Sequence, residues 1–142
     1  MYKIFKRFKL HIGHRLSKHA GRCHNIHGHN FVIEVQLKTN LLNKNDMVID
    51  FHDMKTIINA EISKYDHVTI LNSKDQKNID HLSKIGYRLE FLYEGDVDPT
   101  AEVLSRFLFV ALRSLFISHG NGIGVDFVRV WENDDSYAEY SE

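Results

Sequence analysis

Three histidines near the start of the chain have the spacing of a metal site. His27 and His29 lie two residues apart, and side chains at that spacing on a β-strand point to the same face. His14 lies at the end of an earlier strand-like segment that can pair with them. Three neutral imidazoles with one open coordination position are typical of catalytic zinc. We therefore predict a Zn2+ site at these histidines; a structural site that includes a cysteine, or no metal at all, are the alternatives.

The only cysteine of the chain, Cys23, lies four residues before His27. A single cysteine is most often a small buried apolar residue. Here the neighbours Arg22, His24 and Asn25 form a polar and cationic setting, which favours the thiolate. A thiol beside a metal that it need not ligate is suited to act as a base or a nucleophile.

Polar residues further along the chain suggest two other roles. Asp66 and His67 are adjacent and can form a carboxylate–imidazole relay for protons, although such pairs are also common at helix ends. Glu132 ends an apolar strand-like run, where its carboxylate can accept paired hydrogen bonds from a guanidine-like edge or simply carry charge in solvent. Thr100 and Glu102 are candidates for ligand contacts, with helix capping as an equal alternative.

Size and composition limit the classes of protein to which the chain can belong. Its 142 residues, 43% hydrophobic and 26% charged, are enough for one domain with a core. The net charge of −1 gives no general case for nucleic-acid binding. One cysteine fits a reducing compartment, and no apolar run approaches the ~18 residues of a membrane-spanning helix. We expect a cytoplasmic protein that binds neither nucleic acid nor membrane.

The amino-terminal segment is basic, because no Asp or Glu precedes Glu34. Such a composition also occurs in transit peptides. We interpret the segment as mature protein, since it alternates like a strand and contains the candidate ligand His14. Its positive charge can attract an anionic substrate.

Hydrophobic periodicity predicts four strands and two helices. Strands are indicated by alternating apolar residues within 2–12, 31–37, 125–131 and 137–140. The first helix has Asp50 as its cap, Asp53 in its first turn and an apolar stripe from Phe51 to Ile62. The second begins at Asp98-Pro99, with Pro99 at the first helical position, and has a longer apolar stripe that ends before Gly120.

The predicted elements follow the order β-β-α-α-β-β. This order favours an α+β fold in which a four-stranded antiparallel sheet carries two helices on one face. Residues 73–98 form an insert between the helices; 73–80 are polar and loop-like, and 87–93 are a candidate short strand. We found no repeat or linker, so residues 1–142 are predicted to form a single domain. The two sheet edges favour association between subunits.

These motifs, taken together and in this order, resemble the family of 6-pyruvoyl-tetrahydropterin synthase and 6-carboxy-tetrahydropterin synthase. The resemblance covers nearly the whole chain. The matching segments are Phe8 to Leu16, Cys23 to Asn30, Val48 to Phe51 with Lys55, Asp66-His67 with Leu71-Asn72, Pro99 to Glu102, Val128 to Glu132, and Ala138-x-Tyr140.

The resemblance implies a tunnelling fold (T-fold) whose subunits form trimeric barrels, usually paired into hexamers, with active sites at subunit interfaces. It implies 7,8-dihydroneopterin triphosphate as the substrate. By the same resemblance His14, His27 and His29 hold zinc, and Cys23 is the general base. Asp66 and His67 form the relay for the second proton, and Glu132 anchors the pterin ring.

Two products occur within this family. The pyruvoyl enzymes eliminate triphosphate and rearrange the side chain, whereas the carboxy enzymes also release acetaldehyde and supply queuosine and 7-deazapurine biosynthesis. The short spacing from Cys23 to His27 resembles the carboxy enzymes, which we therefore prefer. The insert at 73–98 is longer than the corresponding link in the compact carboxy enzymes. A non-catalytic zinc-stabilised binding module is the alternative from another class.

Overall fold

Two long antiparallel strands form the centre of the sheet. In the computed structural model, which describes residues 1–120 and 122–142, β1 (Tyr2–His14) pairs with β2 (His27–Thr39) along its whole length. Buried apolar side chains alternate with more exposed ones in both strands, so one face of the sheet is covered and the other is open. The register places His14 directly opposite His27.

Four shorter strands extend the sheet on both sides, in the order β4-β3-β1-β2-β5-β6. On one side, β5 (Gly124–Trp131) pairs antiparallel with β2, and β6 (Tyr137–Ser141) pairs antiparallel with β5. On the other side, β3 (Val68–Ile70) runs parallel to β1, and β4 (Leu89–Glu90) runs parallel to β3.

The α+β class is confirmed, but the predicted count of four antiparallel strands was wrong. Six strands are present among the described residues, and two of them pair in parallel. The strands β3 and β4 have only three and two residues, which is too short for an alternating pattern to be recognised.

The two predicted helices are present as α1 (Phe51–Ile62) and α3 (Ala101–His119), and α1 begins after its predicted cap Asp50. The Asp50 carboxylate accepts a hydrogen bond from the His52 backbone N–H at 2.7 Å, which satisfies one free donor of the first turn. The cap of α3 is Thr100, so the predicted position of Pro99 was wrong. Pro99 lies before the cap instead of within the first turn.

The insert contains a third helix, α2 (Gln76–Lys84), where the sequence predicted a loop over 73–80. The helix is short and mostly polar, and Leu82 is its buried residue. A helix that buries so little apolar surface has no clear helical stripe in its sequence. The candidate strand at 87–93 is confirmed only as the two residues of β4.

The core lies between the covered face of the sheet and helices α1 and α3. Helix α3 packs on β5 and β6, and α1 packs on α3. The largest fully buried apolar side chains come from β2, α1 and α3 and include Phe31, Leu37, Met54, Ile58, Phe109 and Phe116. Within residues 1–120 and 122–142, no helix has both the length and the hydropathy that crossing a bilayer requires.

Candidate metal centre and active site

The three predicted metal ligands meet at one end of the covered sheet face. His14 continues the buried stripe of β1 and is only 2% exposed. His27 and His29 begin the buried stripe of β2 and are half-buried. One ring nitrogen from each of the three histidines lies within 4.8 Å of the others. The strand register therefore brings together residues that are 13 to 15 positions apart in the chain.

Backbone carbonyls fix the ring orientation of two of these histidines. The His14 Nδ1 lies 2.8 Å from the carbonyl oxygen of Pro99, and the His27 Nδ1 lies 2.8 Å from that of Asn25. A carbonyl oxygen only accepts hydrogen bonds, so both Nδ1 atoms carry the proton. In the neutral rings both Nε2 atoms are then acceptors.

Those two Nε2 atoms are 3.0 Å apart. Two lone pairs facing each other at this distance repel, and a cation between them removes the repulsion. Histidine ligands whose other nitrogen donates to a carbonyl are the usual arrangement in metal sites. The donor set therefore fits a metal ion bound through Nε2 atoms.

Burial keeps His14 in the neutral form that a metal requires. Desolvation is the main cause that lowers its pKa from 6.5 to about 4; the neighbouring His27 and His29 rings act in the same direction, and the hydrogen bond to Pro99 acts in the opposite direction. At neutral pH this imidazole is uncharged, so metal binding does not have to displace a proton from His14.

A cavity of about 350 Å³ next to the histidines gathers four of the predicted site residues. Its lining includes Cys23, Thr100, Glu102 and Glu132. The Oε1 atom of Glu132 lies 3.9 Å from the His14 Nε2. Glu132 thus connects the cavity that contains Cys23 to the histidine cluster within a single chain.

Cys23 lies in a short 3₁₀ turn, Arg22–His24, and is half-buried. Its backbone carbonyl accepts a hydrogen bond from the Leu16 N–H at 2.9 Å, which closes the loop after β1. Among the described residues, the cluster of potential metal ligands consists of the three histidines and does not include this cysteine.

Thr100 and Glu102 both lie at the amino-terminal end of α3. The Thr100 hydroxyl oxygen accepts a hydrogen bond from the Val103 N–H at 3.3 Å, so the capping interpretation of this residue holds. The hydroxyl proton remains able to donate into the cavity. Glu102 is in the first helical turn, where a carboxylate is stabilised by the helix dipole.

Asp66 and His67 form a pair, and His67 lines a different cavity from Cys23. The His67 Nδ1 lies 2.9 Å from the Asp66 Oδ2, and the His67 side chain is 74% exposed. Burial raises the pKa of Asp66, but hydrogen bonds from the His11 N–H and the His67 ring outweigh it and leave that pKa below its ordinary value. His67 adopts a left-handed backbone conformation with φ of 57°, which costs energy in a residue with a Cβ.

This second cavity, of about 470 Å³, includes His11 and Asn30, whose roles the sequence did not indicate. The His11 ring packs edge-on against the His67 ring, with centroids 5.1 Å apart, and its Nδ1 lies 2.8 Å from the Asn30 Oδ1. Strand alternation places His11 and Asn30 on the open face. Their proximity to His67 depends on β3 and was not predictable from local sequence.

Comparisons with known proteins find relatives that match nearly the whole chain. The family model described as 6-pyruvoyl tetrahydropterin synthase matches residues 3–142. A protein named 6-carboxy-5,6,7,8-tetrahydropterin synthase from Haemophilus influenzae is 32% identical over 100% of both chains. A protein of the same name from Aquifex aeolicus is 29% identical over 99% of this chain and 98% of its own.

Solved structures share the fold. An uncharacterized protein from Wolinella succinogenes matches with a TM-score of 0.82 at 20% identity, over 99% of this chain and 98% of its own. The 6-pyruvoyl tetrahydropterin synthase of Caenorhabditis elegans matches with a TM-score of 0.70 at 19% identity, over 99% and 95%. Together with the family match over almost the entire sequence, these findings show that the chain belongs to the 6-pyruvoyl tetrahydropterin synthase family.

Proposed function

We propose that the protein is a zinc-dependent lyase that converts 7,8-dihydroneopterin triphosphate to 6-carboxy-5,6,7,8-tetrahydropterin, with release of acetaldehyde and triphosphate. The observation that carries this proposal is the cavity shared by Cys23 and Glu132, because the Glu132 carboxylate also lies 3.9 Å from His14 of the metal-competent histidine cluster. The names of the full-length relatives favour the carboxy product. This reaction belongs to queuosine and 7-deazapurine biosynthesis.

Zinc is the metal that we propose for His14, His27 and His29, because three imidazoles with an open position suit its preferred coordination. When bound, zinc supplies Lewis-acid polarisation of the side-chain hydroxyl oxygens, which makes neighbouring protons easier to remove. Cys23 does not belong to the ligand cluster of the described residues, which favours a catalytic role over the structural site of a binding module.

Cys23 is the proposed general base. Its half-buried side chain lines the same cavity as Glu132, so a pterin side chain held between them is within its reach. The thiolate accepts a proton from a carbon of that side chain. A thiol that must stay reduced favours a reducing compartment, and we propose the cytoplasm.

Glu132 is the proposed anchor of the pterin ring. It directly follows β5, and its side chain is 30% exposed at the pocket. A carboxylate pairs well with the two parallel N–H groups of a guanidine-like edge, and this bidentate contact fixes the ring while the side chain reacts. Thr100 and Glu102 are proposed substrate contacts at the rim of the same pocket.

Asp66 and His67 are the proposed relay for the second proton, supplied by another subunit. The Cys23 cavity is lined by residues of β6 (Tyr137, Ala138), whereas the His67 cavity is lined by Tyr87 and Arg88 just before β4. The strands β6 and β4 are the two opposite edges of one sheet. A cyclic homo-oligomer that joins these edges places His67 of one subunit beside Cys23 of the next.

We propose a homotrimer, or a hexamer built from two trimers, because the resemblance to the family implies it, with active sites at the subunit interfaces. We propose that residues 1–142 act as one domain within it, with 73–98 as a family-variable insert. We propose two kinds of partner for the chain: the small-molecule substrate and further copies of the chain.

Mass spectrometry of the product tests the reaction. Zinc-loaded protein is mixed with 7,8-dihydroneopterin triphosphate, and 6-carboxy-5,6,7,8-tetrahydropterin with acetaldehyde is expected. Cys23→Ala is expected to keep zinc and fold but to lose turnover; retained turnover contradicts the proposed base. A 6-pyruvoyl product assigns the protein to the alternative activity of the family. Absence of any product favours another pterin substrate or the binding-module alternative.

Subunit complementation tests the shared site. Cys23→Ala and His67→Ala chains are each expected to be inactive, and their co-expression is expected to restore about a quarter of the sites, the random share in which both contributors are wild type. Two tags allow purification of the mixed oligomer. Mixed oligomers without activity indicate that Asp66 and His67 do not act across the interface.

A further inference from the structure

An almost buried ion pair connects α2 of the insert to the end of β1. The Arg15 Nη1 lies 2.5 Å from the Asp75 Oδ2, and the two side chains are only 13% and 10% exposed. Asp75 occupies the cap position of α2, yet its carboxylate makes no capping hydrogen bond to the helix backbone. The carboxylate instead binds Arg15 and accepts hydrogen bonds from the Asn78 side chain.

The other terminal nitrogen of Arg15 reaches the turn that carries Cys23. Its Nη2 lies 2.8 Å from the His24 Nε2, and because a guanidinium only donates, His24 must be the acceptor. The residue after Arg15 also holds this turn, since the Leu16 N–H donates to the Cys23 carbonyl at 2.9 Å. Cys23 is therefore held through its own carbonyl and through the ring of the next residue.

We propose that Arg15 is a positioning residue for Cys23 and that Asp75 in turn holds Arg15. A guanidinium is planar and rigid, so fixing one nitrogen on Asp75 aims the other at His24. The insert at 73–98 thereby helps to build the active site. This inference rests on the proposed function in one respect, because placement of Cys23 affects turnover only if the thiolate is the base.

The main test variant is Asp75→Ala, with Asp80→Asn as its matched control. The Asp80 carboxylate accepts a hydrogen bond from Gln76 within the same helix, so the control perturbs α2 without touching Arg15. The chain has one cysteine, so alkylation by iodoacetamide, measured by mass spectrometry, reports on Cys23 alone. Turnover is measured in parallel as separate kcat and KM values.

Asp75→Ala is expected to increase the alkylation rate about two- to fivefold, because the turn opens and the half-buried thiol becomes more accessible. The expected fall in kcat is about tenfold, from a misplaced base. KM is expected to stay within about twofold, since Glu132 on a different element anchors the substrate. Asp80→Asn is expected to match the wild type in all three quantities.

A double variant keeps the test valid if Asp75→Ala fails to fold. Arg15→Met/Asp75→Leu replaces the ion pair by apolar groups of similar size, a change that buried pairs often tolerate. It still removes the donor to His24, so the same changes in alkylation and kcat are expected. Arg15→Lys keeps the charge but cannot hold both partners in one plane. Its alkylation rate and kcat are expected to lie between those of the wild type and the double variant.

The two proposals fail in distinguishable ways. Unchanged alkylation and unchanged kcat in both Asp75→Ala and the double variant overturn the role of Arg15 and leave the proposed function intact. A wild-type protein without turnover, whose variants still show faster alkylation, overturns the reaction and leaves the placement of Cys23 by Arg15 standing.

Discussion

The histidines on the two faces of the sheet differ in their exposure and in the groups that orient their rings. On the covered face, His14 and His27 are oriented by backbone carbonyls, and their Nε2 atoms face each other. On the open face, His67 is 74% exposed and contacts His11 in a wide cavity. The three histidines of the first cluster all come from one chain and converge on one point, whereas the His67 side chain is largely open to solvent.

Because of this difference, we expect metal binding and assembly of the active site to depend on different faces of the sheet. Neutral imidazoles held by carbonyls are ready for a metal within a single chain. An exposed imidazole paired with a carboxylate becomes useful only when another surface brings a reacting group to it. We therefore expect metal affinity to depend on the covered face alone, and turnover to depend on both.

The largest expected effect is loss of the metal from the covered face. His27→Ala removes one of the proposed zinc ligands, so zinc is expected no longer to stabilise the variant. At a free zinc concentration 100 times the dissociation constant, binding stabilises the wild type by about 2.7 kcal/mol, or roughly 5–10 °C in melting temperature. Calorimetry with and without zinc measures this shift. His67→Ala should retain it fully; a lost shift there would refute the separation of the two faces.

The next largest effect is a loss of turnover without a loss of stability, at His67 on the open face. His67 has a φ of 57°, a conformation that glycine adopts without penalty. His67→Gly is expected to be as stable as the wild type or up to about 1 kcal/mol more stable, while turnover falls by about 10²-fold or more. Urea denaturation and steady-state kinetics check the two quantities, and a variant that is less stable by more than about 1 kcal/mol contradicts this account of the backbone.

A third prediction concerns how the open face tolerates a buried carboxylate. The Glu34 side chain is 5% exposed and pairs with Arg7 and with Arg129, which also binds Glu139. Glu34→Ala is expected to lower the free energy of unfolding by about 2–3 kcal/mol, because two guanidinium groups lose their shared partner. Glu139→Ala, at the rim, is the matched control and is expected to cost less than about 1 kcal/mol. If Glu34→Ala and Glu139→Ala lower the free energy of unfolding equally in urea denaturation, burial does not set the strength of the Glu34 pairs.

The smallest effect is a pH dependence at the far end of the same face. Hydrogen bonds from Lys3, Lys38 and Gln36 outweigh partial burial and lower the pKa of Asp126 from 3.8 to about 2. The stabilisation is therefore present in full above about pH 5 and is lost as the pH falls towards 2. Asp126→Asn is expected to cost about 1–2 kcal/mol at pH 7, and its difference from the wild type should shrink on acidification. A difference independent of pH would contradict the assignment.

The parts of the fold that the sequence predicted are those with strong periodicity or capping. The long strands β1 and β2 and helices α1 and α3 follow from alternating or helical apolar residues, and the start of α1 follows from its cap Asp50. The strand register then determines the histidine cluster, which is why a local pattern was sufficient to predict it.

The remaining features depend on contacts between distant residues. Helix α2 buries mainly Leu82 and is held by the Arg15–Asp75 pair, whose members are 60 positions apart. The placement of His67 beside His11 depends on β3, which has only three residues. Neither short parallel strands nor single long-range ion pairs leave a periodic trace in a sequence.

The two ends of the insert are fastened together independently of what lies between them. The Ser73 hydroxyl donates to the Gly95 carbonyl and accepts from the Gly95 N–H, both at 2.9 Å. The Asn72 amide donates to Asp98 at 3.0 Å, immediately before the Pro99 carbonyl that orients His14. Because these hydrogen bonds hold the two ends of the segment together, its length can change during evolution at little entropic cost. Related chains can therefore change this segment, and with it the shape of the pocket, while the histidine cluster keeps its geometry.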